Sequence, residues 1–307
     1  MSKFAIVFPG QGSQAVGMLA DLATQYDVVE KTFSEASEVL GYDLWALVQN
    51  GPSEDLNETH RTQPALLASS VAIWRVWQEQ GLDQPQVIAG HSLGEYSALV
   101  CAGVIDFKEA IKLVELRGRL MQEAVPAGTG AMYAIIGLAD DAIAKACEDA
   151  AQGEVVSPVN FNSPGQVVIA GSKAAVERAG ALCKEAGAKR ALPLPVSVPS
   201  HCALMKPAAD KLAEALKELT FNAPSTPVIN NVDVTAEMDP NSIKDALVRQ
   251  LYSPVRWTET VQLMNDQGVE KLLELGPGKV LTGLTKRIVK SLSAAVVNDT
   301  ATFDAAK

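Results

Sequence analysis

A run of five apolar residues, Phe4–Phe8, opens the chain and predicts a strand that feeds the loop Pro9–Gly10–Gln11–Gly12–Ser13–Gln14. Apolar residues then return at helical spacing over about 28–40, ended by Gly41. They return again over about 64–80, with Pro64 in the first turn and Gly81 past the end. A short strand, 86–89, a glycine-bracketed turn and a helix from Leu93 come next. Another helix runs from Asp106 to about Val125, with Asp106 and Glu109 spaced as a variant of the capping box.

From 130 the alternation changes. Strands are expected at Ala131–Ile136, Val155–Asn160, Gln166–Ala170 and Lys189–Leu194, with helices at 139–151 and 173–186. That βαββαβ order is the ferredoxin-like unit, which closes on itself. It predicts a small domain at 127–196 inserted into a larger one made of 1–126 and 197–307. After 197, helices at 203–219, about 241–251, 258–267 and about 279–290 alternate with strands at 228–231 and 270–275. Strands separated by helices indicate a mostly parallel sheet, so the fold class is α/β with an α+β insert.

The stretch Val87–Ile88–Ala89–Gly90–His91–Ser92–Leu93–Gly94–Glu95 carries the sharpest chemistry. It is a G-x-S-x-G turn between a strand and a helix, the context of a nucleophile elbow. Gly90 and Gly94 allow a tight turn with Ser92 at its apex. The following helix offers free N–H groups where an oxyanion forms. The plain alternative is a chance match in a glycine-rich loop.

A serine hydroxyl is a weak nucleophile and needs a base. The chain has three histidines. His60 sits in the polar stretch Asn57–Arg61 and reads as a solvated loop residue. His91 adjoins Ser92, and neighbouring side chains at a sharp turn diverge. His201 remains, where the chain leaves the insert, with a structural core histidine as its alternative. Many acids are available to orient it, and a main-chain carbonyl serves as well.

Arg117 is the most telling charge. On a wheel of the helix 106–124 it falls within the apolar arc of Ala110, Leu113, Val114, Leu116, Leu120, Met121 and Ala124, whereas Arg119 falls opposite. A guanidinium on a buried face is costly unless it meets an anion. Two readings stay open: an ion pair with a protein acid, or a carboxylate on a substrate. Gly10–Gln11–Gly12 follows the first strand and would share the sheet edge with the elbow. The main-chain N–H groups of Gln11 and Leu93 are therefore the candidate oxyanion donors. Lys189 and Arg190, with Lys173, Arg178 and Lys184 before them, form a cluster suited to a phosphate or an acidic partner, or simply a solvated face. Glu274–Lys279 reads as plain turn chemistry.

The net charge of −10 argues against nucleic acid as a general partner. No apolar run approaches the ~20 residues of a membrane span, and Pro9 and Gly10 cut the first run too short for a signal peptide. The expected compartment is the cytoplasm. The four cysteines, Cys101, Cys147, Cys183 and Cys202, show no metal spacing; the first three suit small buried hydrophobes.

Taken together, Phe8–Gln14, Thr62–Leu66, Gly90–Tyr96, Arg117–Arg119, Gly130–Met132, Asn160–Gln166, Val198–His201 and Glu274–Gly278 resemble the malonyl-CoA:acyl carrier protein transacylases of bacterial type II fatty-acid synthesis, from about residue 3 to about 290. The resemblance implies a hydrolase-like α/β domain with a ferredoxin-like insert. It implies Ser92 as the nucleophile, His201 as its base held by the main-chain carbonyl of Gln250, and Gln11 and Leu93 as the oxyanion hole. It assigns Arg117 to the malonyl carboxylate, Gln63 and Met121 to the acyl pocket, and Asn160, Asn162, Lys189 and Arg190 to the approach of the thioester arm. Malonyl-CoA and acyl carrier protein are the implied partners, with no metal or redox cofactor; nothing in the sequence suggests an obligate oligomer, and a monomer is expected. Carrier protein is acidic by the same resemblance, so Lys189, Arg190, Lys286, Arg287 and Lys290 are candidates for its docking. A serine esterase or thioesterase would share the elbow. The mid-chain position of His201 and the lack of a His-Gly-Gly-Gly segment speak against it.

Overall fold

A computed structural model describes residues 3–196 and 198–307. Ser197, the expected start of the returning segment, and Met1–Ser2 lie outside the described residues. The strands are β1 (Phe4–Phe8), β2 (Val87–Gly90), β3 (Gly130–Ile136), β4 (Val156–Ser163), β5 (Gln166–Ser172), β6 (Arg190–Pro193), β7 (Val228–Ile229), β8 (Lys271–Leu275) and β9 (Ser293–Val297).

Five of them form one all-parallel sheet in the order β7-β2-β1-β8-β9. Both faces of this sheet are covered, which is why β1 and β2 read as unbroken apolar runs. Ile6, Phe8 and Ile88 pack into one core, whereas Ala5, Val7, Val87 and Ala89 pack into the core on the opposite face. Because all five strands run the same way, their C-terminal ends meet at one edge. The Pro9–Gln14 loop and the turn at Ser92 therefore open side by side, where α/β sheets bind ligands.

The other four strands form a sheet in the order β4-β5-β3-β6, antiparallel throughout. The helices Asp140–Ala151 and Lys173–Glu185 supply the core of this unit with Ile143, Cys147, Val176 and Cys183. β4 runs three residues beyond the expected end at Asn160, through two irregularities between Pro158 and Ser163. The irregular strand is held by main-chain bonds to the parallel-sheet domain: Phe161 N–H to Val255 O, and Val255 N–H to Val159 O. A single bridge, Asn160 beside Val255, thus ties β4 to the segment before the helix Trp257–Asp266.

Several expectations need correction. The helix expected from 64 begins at Thr59 and runs to Glu79, with Pro64 inside it. Its start is secured upstream, where the Arg61 and Thr62 N–H groups both donate to Glu58 O and Thr62 Oγ1 bonds Leu56 O. His60 is therefore a first-turn helical residue with 23% of its side chain exposed, not a solvated loop residue. The helix expected at 203–219 is a 3₁₀ turn, Ala203–Met205, and then a helix, Lys206–Lys217, with Pro207 suited to the first turn. Short helices at Ala20–Ala23, Leu44–Asn50 and Ser53–Leu56 were not expected, nor were β9 and the closing helix Thr300–Ala306. β9 is a short edge strand, Ser-Ala-Ala-Val-Val, and two alanines leave its period faint. All four cysteines are free and buried.

Candidate active site

The turn after β2 is tight for a steric reason. A Cβ on Gly90 would lie 1.9 Å from Gly94 C, and one on Gly94 would lie 2.2 Å from Phe8 O. With both side chains absent, Ser92 takes a left-handed φ of 52° and stands at the apex. Its main-chain N–H is tied to Asn231 Oδ1 at 2.8 Å, and Asn231 Nδ2 donates to Gly90 O at 2.7 Å. One asparagine, at the loop after β7, thus spans the elbow.

Ser92 Oγ lies 2.8 Å from His201 Nε2. His201 Nδ1 lies 2.7 Å from the main-chain carbonyl of Gln250, the last residue of the helix Pro240–Gln250. A carbonyl only accepts, so Nδ1 carries the proton and Nε2 is the free base facing the hydroxyl. Burial, reinforced by the nearby Arg117 charge, pushes the His201 pKa down from 6.5 to about 3. His201 is neutral at neutral pH. Of the two groups considered at the sequence level to orient it, the main-chain carbonyl is the one present.

Arg117 comes from the helix Phe107–Ala124, which starts where Asp106 accepts from the Lys108 and Glu109 N–H groups. It is completely buried. Its guanidinium donates to Gln63 Oε1 at 2.7 Å, to Gln250 Oε1 at 2.9 Å and to Ser92 Oγ at 3.3 Å. It also stacks 5.3 Å above the Tyr96 ring centroid. Among the described residues no carboxylate lies within 4.0 Å of it, so its direct acceptors are all neutral oxygens. The choice left open by the wheel, internal ion pair or external anion, is decided against the direct internal pair. Arg119 is exposed and pairs with Glu115. Gln63 and Met121 lie behind Arg117, buried and 3.6 Å apart.

Gln11 lines the same cleft as Ser92, and neither its main-chain N–H nor that of Leu93, the residue after Ser92, donates to a described protein acceptor. The Gln11 side chain donates to Thr59 Oγ1 at 2.9 Å. Glycine at position 10 is required because a Cβ there would sit 2.6 Å from His91 O. A cleft of about 610 Å³ opens over the site, lined by Gln11, Thr59, His60, Ser92, His201, Asn160, Met132 and Leu194 among others. Asn160 lines it from β4. Asn162 does not; its Oδ1 lies 2.8 Å from Nε2 of His91, which packs against Trp257 and lines the cleft with Ser92 but is not the group bonded to its hydroxyl.

Lys189 and Arg190 do not line the cleft either. Arg190 starts β6 and Lys189 precedes it; the other end of the strand leads to the lining residues Leu194–Val196. Arg190 pairs with Ile136 and Ile136 with Gln166, and Arg287 donates to Gln166 Oε1 at 2.9 Å. The structure thereby collects Arg190 and Arg287 at one end of the antiparallel sheet. Glu274 in β8 is buried and accepts from the Leu281 and Thr282 N–H groups, capping the helix Val280–Ile288; turn chemistry accounts for it. Residues that sequence reasoning passed over are Thr59, Asn231 and Glu95. The signal for Glu95 was present, an acid entering a helix whose next residues are Tyr96, Ser97, Ala98 and Leu99.

The family model described as an acyl transferase domain matches residues 5–303. The chain is 71% identical over 306 residues to the malonyl CoA-acyl carrier protein transacylase of Escherichia coli K12, covering 100% of this chain and 99% of that one. Its fold matches the crystal structure of an acyl carrier protein S-malonyltransferase from Vibrio cholerae with a TM-score of 0.98, at 83% identity and complete coverage of both chains. It also matches a malonyl-transacylase solved in complex with its type II PKS acyl-carrier protein, with a TM-score of 0.99, 73% identity and 99% of each chain covered.

Proposed function

The chain belongs to the acyl transferase domain family, among the malonyl CoA-acyl carrier protein transacylases, and on that footing we propose how its residues carry the transfer. The reaction moves a malonyl group from malonyl-CoA to the phosphopantetheine thiol of acyl carrier protein, for fatty-acid synthesis. His201 Nε2 takes the Ser92 proton while Oγ attacks the thioester carbonyl. The Gln11 and Leu93 N–H groups hold the tetrahedral oxyanion. The C–S bond breaks, and coenzyme A leaves with the proton from His201. In the second half, the carrier thiol gives its proton to His201 and attacks malonyl-Ser92. The C–Oγ bond breaks and the proton returns to Ser92.

One observation carries this reading. Ser92 Oγ sits 2.8 Å from a neutral histidine and 3.3 Å from a buried guanidinium that has no direct carboxylate partner. The first contact supports Ser92 as a nucleophile; the second, a positive charge beside it with no direct carboxylate partner among the described residues, supports an acyl tail that carries a carboxylate. A neutral ester offers nothing to that charge, and the relatives do not favour the hydrolase alternative. Asn160, Gln63 and Met121 are proposed to shape the path of the arm and tail, with Asn162 behind them holding the His91 ring. Arg190, Arg287 and their lysine neighbours are proposed to meet an acidic carrier, a local attraction working against a net charge of −10. Among the described residues no helix is long and apolar enough to cross a membrane, and a cytoplasmic enzyme is proposed. The division into 1–126 with 197–307 and an insert at 127–196 is likewise proposed; it is supported by the two separate sheets.

The test is intact mass after brief mixing with malonyl-CoA or acetyl-CoA, with Ser92→Ala as control. A malonyl adduct that requires Ser92 and disappears on adding carrier-protein thiol is expected. Steady release of free malonate without an adduct would replace the transferase by a hydrolase.

A further inference from the structure

Glu95 lies three residues after Ser92, in the first turn of the helix Gly94–Cys101, and is only 2% exposed. A carboxyl group so buried is costly unless it is bonded. No cation lies within 4.0 Å of it among the described residues. Its Oε2 instead accepts from the Asn231 main-chain N–H and from Gln250 Nε2, both at 3.0 Å. Both partners act on the reacting groups. Asn231 holds the Ser92 N–H, and Gln250 holds Arg117 through its side chain and His201 through its main chain.

The chemistry of the chain fixes its polarity. A guanidinium only donates, and Glu95 Oε2 accepts, so an amide between them fits one way round. Its oxygen must face Arg117 and its nitrogen Glu95, as Gln250 stands. Gln250 Nε2 makes further contacts with Ser92 O at 3.0 Å and Asn231 Oδ1 at 3.2 Å. The amide therefore separates the carboxyl from the guanidinium. Arg117 is steadied without being captured by a direct ion pair, and its Nε is left without a hydrogen-bond partner among the described residues.

We propose that Glu95 is a positioning residue of the acyl-transfer site. By accepting from Gln250 Nε2 and the Asn231 N–H, it keeps the Gln250 amide oxygen on Arg117 and the guanidinium aimed at the acyl group on Ser92. The inference rests on the transferase reading above. Acceptance of hydrogen bonds, rather than charge, is the operative property. Burial pushes the Glu95 carboxyl up to about 7, so both forms are accessible near neutral pH, and Oε2 can accept in either.

The experiment compares single-turnover loading of Ser92 from malonyl-CoA and from acetyl-CoA, read by intact mass, in the full chain. Glu95→Ala should lower the malonyl-to-acetyl loading ratio by about tenfold, the effect of one lost bond in a chain ending on a charge. Glu95→Gln keeps an acceptor oxygen and should restore the ratio to within about twofold of wild type. In an Arg117→Ala background, Glu95→Ala should leave the ratio unchanged, because its effect on the ratio passes through the guanidinium. Should Glu95→Ala not fold, Glu95→Asp, whose carboxyl falls a methylene short of Gln250, carries the same comparison. An equal fall for both acyl groups, an unchanged ratio, or a Gln variant as impaired as the Ala variant would overturn the inference. A wild-type chain that takes up no malonyl adduct fails the transferase reading itself and this inference with it. Wild-type loading with an unmoved ratio in the variant overturns this inference alone.

Discussion

Replacing Arg117 by alanine separates the two acyl groups that this site must tell apart. The guanidinium is fully buried and holds three neutral acceptors, Gln63 Oε1, Gln250 Oε1 and Ser92 Oγ. A malonyl carboxylate meeting the guanidinium while Gln250 Oε1 stays in place would make a bidentate, charge-assisted pair. Each hydrogen bond to a charged group is worth about 1.5–3 kcal/mol, so two are worth about 3–6 kcal/mol. At about 1.4 kcal/mol per tenfold, malonyl loading should fall by about 10²- to 10⁴-fold. An acetyl group has no charge to lose. It forfeits only the long 3.3 Å contact to Ser92 Oγ, about 1 kcal/mol or roughly fivefold. The assay is the rate of appearance of each acyl-enzyme mass under single-turnover conditions, with thermal unfolding as a check. Removing a desolvated charge offsets the two amide acceptors left behind, so the melting temperature should move little. Equal losses of malonyl and acetyl loading in a folded variant would refute the assignment of Arg117 to the acyl carboxylate.

Gly94→Ala should be among the most damaging single-methyl changes. Its Cβ would stand 2.2 Å from Phe8 O, at the end of a central strand, so unfolding in urea should show a loss of at least about 3 kcal/mol; a midpoint near wild type would refute the steric account of the elbow. The His201 base is held neutral by burial and by Arg117, so acetyl loading in wild type should keep its base in working form far below pH 6.5, towards pH 3. In Arg117→Ala the acid limb should move up towards neutrality, and an acid limb unmoved between the two proteins would refute that coupling. The same depressed pKa makes a stability statement with a definite sign. As the pH falls from 6.5 towards 3, the unfolded chain takes up a proton that the folded chain refuses, so His201 contributes a loss of stability in that window, and His201→Gln should flatten that part of the stability profile measured by denaturant titration.

Much of the site was legible because its parts are local. The strand–glycine–serine–glycine–helix sequence specifies the elbow through sterics within five residues, and the wheel of one helix puts Arg117 on the buried face. The βαββαβ order anticipated the antiparallel sheet for the same reason: period, glycine and cap signals act over a few residues each. Pro64 misled because proline marks helix starts by local rule, whereas the upstream Glu58 carbonyl and Thr62 hydroxyl let this helix begin at Thr59. That five-residue extension carries Thr59 and His60 to the cleft wall.

Tertiary structure decided everything that joins distant parts of the chain. Ser92, His201 and Gln250 are brought together from three segments, and no spacing rule sets the 2.8 Å and 2.7 Å contacts between them. That Arg117 meets neutral oxygens and not an acid is also a fact of packing, as is the amide that separates it from Glu95. By itself the sequence determined the α/β alternation, the elbow and which charges must be buried, since backbone sterics and hydrophobic period are properties of neighbours. Which buried donor meets which buried acceptor depends on how the parallel sheet stacks its loops at one edge. Desolvation makes each such match worth several times its value in water, and that term exists only once the chain has closed around it.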